Sequence, residues 1–97
     1  MPFGEFINFM PHWGFLLIHV ALFLVAAGMA QRAFAAGAGR LGTGFSLFAV
    51  AEVSYMTYHL NWTTFLFAHT LSEVLVAAAF VTIFVAAVQR TAMAARR

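Results

Sequence analysis

The 97-residue chain contains no cysteine and no lysine, only two prolines, and charged side chains at just 8% of its positions. The missing cysteine excludes disulfides, thiolate-held metals and thiol nucleophiles, and leaves the redox compartment unread. The scarcity of charge excludes an ordinary water-facing surface. Soluble domains carry about 25% charged residues, whereas 64% of this chain is hydrophobic. A bilayer is the solvent that suits it. The net charge of +2 and the pI near 10.0 come from arginines at loop and tail positions. They are not interleaved with aromatics in a basic patch, so nucleic acid is not an expected partner.

The hydrophobic residues fall into three runs, and a single domain is the natural count at this length. The sequence predicts an all-α integral membrane protein, a three-helix transmembrane bundle. Residues 1–11, rich in phenylalanine but carrying Glu5 and Asn8, read as an interfacial lead that Pro11 ends. They lack the positive start of a signal peptide. Residues 12–31 form the first expected span, opened by Trp13 at the interface. Arg32 to Arg40 reads as a Gly/Ala-rich loop, with Gly37 and Gly39 as stop signals. Residues 41–60 form the second span, broken only by Glu52, with Gly42, Gly44 and Ser46 giving its start a thin edge for close packing. A tight turn at Leu60, Asn61, Trp62 and Thr63 follows, in which Asn61 and Thr63 can both cap the third helix. The third span covers residues 64–89. No internal repeat is visible.

Arg32, Arg40, Arg90, Arg96 and Arg97 all fall on one side of these three spans. The positive-inside rule then sets the N-terminus outside and the C-terminus in the cytoplasm, with a bacterial or archaeal cytoplasmic membrane as the expected location.

Within this apolar background the polar residues are concentrated. The stretch from Glu52 to Glu73 holds two of the three carboxylates and two of the four histidines, in the pattern E-x6-H-x9-H-x3-E. Folded at the Asn61 turn, it brings Glu52, His59, His69 and Glu73 back towards one another, and His19 reaches the same depth from the first span. At a rise of about 1.5 Å per residue, His19 lies about 9 Å in, His69 about 11 Å and Glu52 about 13 Å. An ionisable residue at the centre of a membrane helix costs about 2.5–3.5 kcal/mol, so such a cluster is a functional candidate. Phe45, Phe48, Glu52, Tyr55 and His59 recur at helical spacing on one face.

Imidazole and carboxylate ligands suit zinc, manganese or iron, which makes His19, Glu52, His69 and Glu73 the candidate metal set. Two histidines on different helices suit a haem iron or a chlorophyll-type magnesium, with His19 and His69 the candidate pair. Glu52 and Glu73 are the candidate proton relay. The plainer alternatives are an intrahelical His69–Glu73 pair, a protonated Glu52 that donates to His19 or to a backbone carbonyl, and a polar cluster that only ties helices together. His12 and His59 read as solvated interfacial side chains, and Tyr55 and Tyr58 as packing aromatics. The expected function is a small integral membrane subunit of a larger assembly, in electron transfer or a similar process, whose outer-side cluster holds or flanks a metal, haem or pigment. The alternative is a homo-oligomeric conduit for protons or divalent cations using the same residues. Expected partners are membrane lipid and other membrane subunits or further copies of the chain. An enzyme acting alone has no nucleophile pattern in its favour.

Overall fold

Helix-forming residues continue well past the expected ends of the first and third spans, and the helices follow them. The computed structural model describes residues 3–95. A short 3-10 helix at Glu5–Phe9 is followed by α1 (His12–Ala35), α2 (Gly39–His59) and α3 (Phe65–Ala95). The described residues are all-helical. Part of the expected interfacial lead, residues 1–2, and the expected cytoplasmic charges Arg96 and Arg97 lie outside them. Pro11 stands immediately before α1 in an extended conformation, φ −67 and ψ 158, where its missing N–H costs no helix bond. At 24 and 31 residues, α1 and α3 are long and apolar enough to cross a membrane. The central helix α2, diluted by glycine, serine, Arg40 and Glu52, falls short of that apolarity.

The expected nine-residue loop from Arg32 to Arg40 is much shorter. Arg32, Ala33, Phe34 and Ala35 are good helix formers and simply extend α1, leaving Ala36, Gly37 and Ala38 as the connection. Gly37 ends α1 in the left-handed region at φ 75. Its N–H donates to the Phe34 carbonyl at 3.1 Å and the Ala38 N–H to Ala33 at 2.8 Å, the paired bonds of a Schellman ending. Gly39, expected as a stop signal, is instead the first residue of α2.

α2 ends in the same way, and this corrects the capping expected at the second turn. Asn61 occupies the left-handed region at φ 64, donates to the Tyr58 carbonyl at 3.0 Å, and is followed by Trp62 donating to Thr57 at 2.9 Å. It therefore terminates α2 rather than starting α3. Asparagine tolerates that backbone better than other residues with a side chain. The Thr63 hydroxyl is engaged with the Thr57 hydroxyl at 2.9 Å.

The three helices form a row rather than a closed bundle. α1 and α3 both pack on α2, and among the described residues no Cα of α1 comes within 8 Å of a Cα of α3. The cause is that α2 carries two narrow edges. At Gly42 a β-carbon would stand 2.6 Å from the Phe34 ring of α1, and at Gly44 one would stand 2.5 Å from Ile83 of α3. Small residues line the facing helices too: Ala26 and Ala30 on α1, and Ala68, Ser72, Ala79 and Ala86 on α3. Large apolar side chains point the other way. Leu24, Val25, Leu66, Phe80, Val81 and Phe84 are each more than half exposed, as are Trp13 and Trp62 near the helix ends. Burying the small residues and exposing the large ones is the packing expected where the surroundings are as apolar as the side chains.

Candidate functional site

Because α1 and α3 stand apart, a cleft of about 600 Å³ opens between them over one face of α2, at the end where the chain passes from α2 to α3. Helical spacing loads it. His12, Phe15 and His19 share one face of α1, Tyr55, Tyr58 and His59 come from the last turns of α2, and Phe65 and His69 from the first turns of α3. Ile7, Asn8 and Met10 border it from the short leading helix and the residue after it. All four histidines of the chain line this one cleft.

At its base, Glu52 is buried on α2 with 4% of its surface exposed. The His19 ring donates from Nδ1 to Glu52 Oε2 at 2.5 Å, joining α1 to α2. That bond fixes the tautomer and leaves Nε2 of His19 as the nitrogen available to a ligand. The Tyr55 ring lies over His19, centroids 5.0 Å apart and nearly parallel at 13°. Its hydroxyl donates to Glu73 Oε1 at 2.8 Å, joining α2 to α3. A few residues away the Ser72 hydroxyl donates to the Ala51 carbonyl at 3.1 Å and completes the polar tie between those helices.

His59 occupies the centre of the cleft. It stacks on Phe15 at 4.9 Å and 5°, stands 5.4 Å from the His19 ring, and shares a hydrogen bond with His12, Nδ1 to Nδ1 at 2.9 Å. One of those two nitrogens donates and the other accepts, so the two rings hold complementary tautomers. On the opposite wall His69 stacks on Phe65 at 5.3 Å and 20°, and its ring lies 6.5 Å from Tyr55.

The four residues singled out from the sequence are thus distributed as two pairs. His19 and Glu52 are bonded to each other at the base. His69 and Glu73 are exposed on α3, each engaged with an aromatic residue. They do not assemble as one ligand set, and among the described residues no three histidine or carboxylate side chains are grouped closely enough to hold a bare metal ion. The reason is geometric. Each carboxylate already has a nearer partner, and the α1–α3 gap separates His19 from His69. Glu52 orients a histidine, and Glu73 anchors a tyrosine. His12 is exposed, as expected of an interfacial ring, yet it also borders the cleft; His59 and Tyr55, expected as a solvated ring and a packing aromatic, are half-buried in it. The signal for Tyr55 and His59 was present, since both share a helical face with Glu52. The signal for His12 was not, because its partner is 47 residues away.

Fold and cleft together define a class: an all-helical protein with two helices able to cross a membrane and a histidine-lined cleft between its outer helices. Comparison of the chain with protein-family models, with curated proteins and with solved structures finds no match.

Proposed function

We propose that the chain is a small integral membrane subunit of a larger assembly and that its cleft holds a histidine-ligated tetrapyrrole, a haem or a chlorophyll-type pigment. The reading takes the three helices as spans, the N-terminus as outside and the arginine-bearing ends as cytoplasmic, in a bacterial or archaeal membrane. One observation carries it: four histidines line a single aromatic-walled cleft, and the ring at its base is held through Nδ1 by a buried carboxylate. Histidines that ligate metals almost always donate their other ring N–H to such a partner. The size of the cleft favours a large organic cofactor over a bare ion. About 600 Å³ falls in the range of organic-ligand pockets. A bare zinc, manganese or iron ion needs far less room and three or four converging donors. A tetrapyrrole supplies its own equatorial nitrogens and asks the protein for one or two axial histidines. His19 is the first such ligand, and His69, across the cleft, is the candidate for the second.

The open wall supports the assembly. His69 and Glu73 are exposed on α3, and leaving ionisable groups towards hydrocarbon costs about 2.5–3.5 kcal/mol each at the bilayer centre. A cofactor covers His69, and a partner subunit or further copy covers Glu73. The absorption spectrum and metal content of the chain purified in mild detergent test the reading. The expected result is a visible tetrapyrrole band with stoichiometric iron or magnesium, abolished by His19→Ala. A colourless, metal-free preparation from its native membrane overturns it.

A second reading has its own observation. The His12–His59 bond, the His59–His19 contact and the His19–Glu52 bond form a series running from an exposed ring to a buried carboxylate. Such a series suits a proton conduit. Proton flux into liposomes containing only this chain, lost in Glu52→Gln, favours this reading over the first.

A further inference from the structure

The far end of the helices carries a second cavity, of about 660 Å³, built from the α1–α2 turn, the first turn of α2 and the last turns of α3. Arg40 and Arg90 line it together with Gln89 and Thr91. The Arg40 guanidinium donates to the Gln89 side-chain oxygen, which ties the start of α2 to α3 and holds one cation at the rim. Among the described residues neither arginine meets a carboxylate. The chain has only three carboxylate side chains, and Glu5, Glu52 and Glu73 all belong to the opposite half of the helices. The rest of the wall is apolar, with Leu41, Ala86, Met93 and Ala94, and Met93 is 60% exposed. Two guanidinium groups with no carboxylate partner among the described residues, beside an apolar wall, match an amphiphile with an anionic head.

We propose that this cavity binds the phosphate headgroup of an anionic phospholipid, with Arg40 and Arg90 on the phosphate and the upper acyl chain along Leu41 and Met93. The proposal rests on the membrane reading above, which sets this cavity at headgroup level, but not on the cofactor. Arginine is suited to the task because its planar fork donates two hydrogen bonds to phosphate oxygens at once. The same chemistry would accept free phosphate. The apolar wall, with Met93 exposed along it, favours the lipid.

Native mass spectrometry of the full chain in neutral detergent, with equal amounts of phosphatidylglycerol and phosphatidylcholine, tests this. The expected excess of bound phosphatidylglycerol is about 25-fold, since each of the two arginines in contact with the headgroup is worth about five-fold for an anionic lipid. Arg90→Gln lowers the excess by about five-fold, and so does Arg40→Gln. Should Arg40→Gln unfold the chain by losing its tie to Gln89, Arg90→Gln carries the test alone. Arg32→Gln, on the same end but outside the cavity, leaves the excess intact, and so does His19→Ala in the distant cleft. Equal retention of the two lipids by the unaltered chain overturns the proposal, as does an Arg32→Gln loss as large as that of Arg90→Gln. Displacement of the lipid by millimolar inorganic phosphate assigns the cavity to a free anion and overturns the lipid assignment. Extraction of the chain from membranes by carbonate removes the membrane reading and this proposal together. Retention in the membrane with equal lipid counts removes the proposal alone.

Discussion

Tyr55 is the side chain through which the two halves of the cleft communicate. Its ring covers His19, which Glu52 holds, while its hydroxyl reaches Glu73 on the other helix. Interhelical hydrogen bonds within membranes average about 0.6 kcal/mol and reach about 1.7 at most. Bonds of that size are small beside the cost of two carboxylates in a chain with 8% charged residues, and the proposed cofactor site gives the pair a further role in positioning the rings. Tyr55→Phe keeps the stack on His19 and removes only the hydroxyl. Its expected cost in stability is about 0.6 kcal/mol, read as a small fall in the melting temperature in detergent, with the His19-dependent spectrum shifted but retained. Loss of bound cofactor equal to that of His19→Ala would show that Tyr55 does more than position. Glu52 was legible in the sequence as a charge inside an apolar run, and His19 as a ring at matching depth. Their bond to each other was among the readings that shared depth allowed. The partner of Glu73 was not, because helix depth fixes height along the axis and says little about which of two neighbouring helices a side chain faces.

At the scale of the helices, existence and type were written in the three hydrophobic runs, whereas the ends were set by single backbone positions. Gly37 and Asn61 occupy equivalent places after α1 and α2, both left-handed and both with the same pair of carbonyl bonds. The glycine was legible as a terminator. Asn61 was ambiguous, because asparagine favours helix starts as well as left-handed ends. The two roles differ in what substitution does. A cap loses its side-chain oxygen in Asn61→Gly, whereas a left-handed terminator loses nothing and gains backbone ease. Asn61→Gly is therefore expected to be neutral or slightly stabilising, and Asn61→Val, forced into the same φ, to cost about 1–2 kcal/mol. Thermal unfolding of both variants checks the pair. A destabilised Asn61→Gly beside a tolerated Asn61→Val would contradict the role assigned to this residue.

At the scale of the whole molecule, the consequential difference from expectation is the row of helices. Hydrophobic runs and turn residues establish that α1, α2 and α3 are neighbours in order, but they do not say whether α1 and α3 also meet. What decides it is the pair of narrow edges on α2, Gly42 towards α1 and Gly44 towards α3. Each outer helix sinks onto its own edge, and the two are held apart across the face that carries Tyr55 and His59. The cleft exists because the bundle does not close. The absence of native cysteine makes this testable without background. A disulfide requires Cα atoms about 4.4–6.8 Å apart, and no α1–α3 pair approaches within 8 Å. The pair His19→Cys with His69→Cys, on opposite walls of the cleft, is expected to stay reduced under mild oxidation and to be joined only by a longer bifunctional reagent. Gly44→Cys with Ile83→Cys is expected to close. There a β-carbon at residue 44 stands 3.3 Å from the backbone nitrogen of Ile83, so the two chains already touch. Migration on a non-reducing gel after partial proteolysis at the Asn61 turn separates the outcomes. A disulfide between residues 19 and 69 would mean a closed bundle, and a cleft too narrow for the cofactor assigned to it.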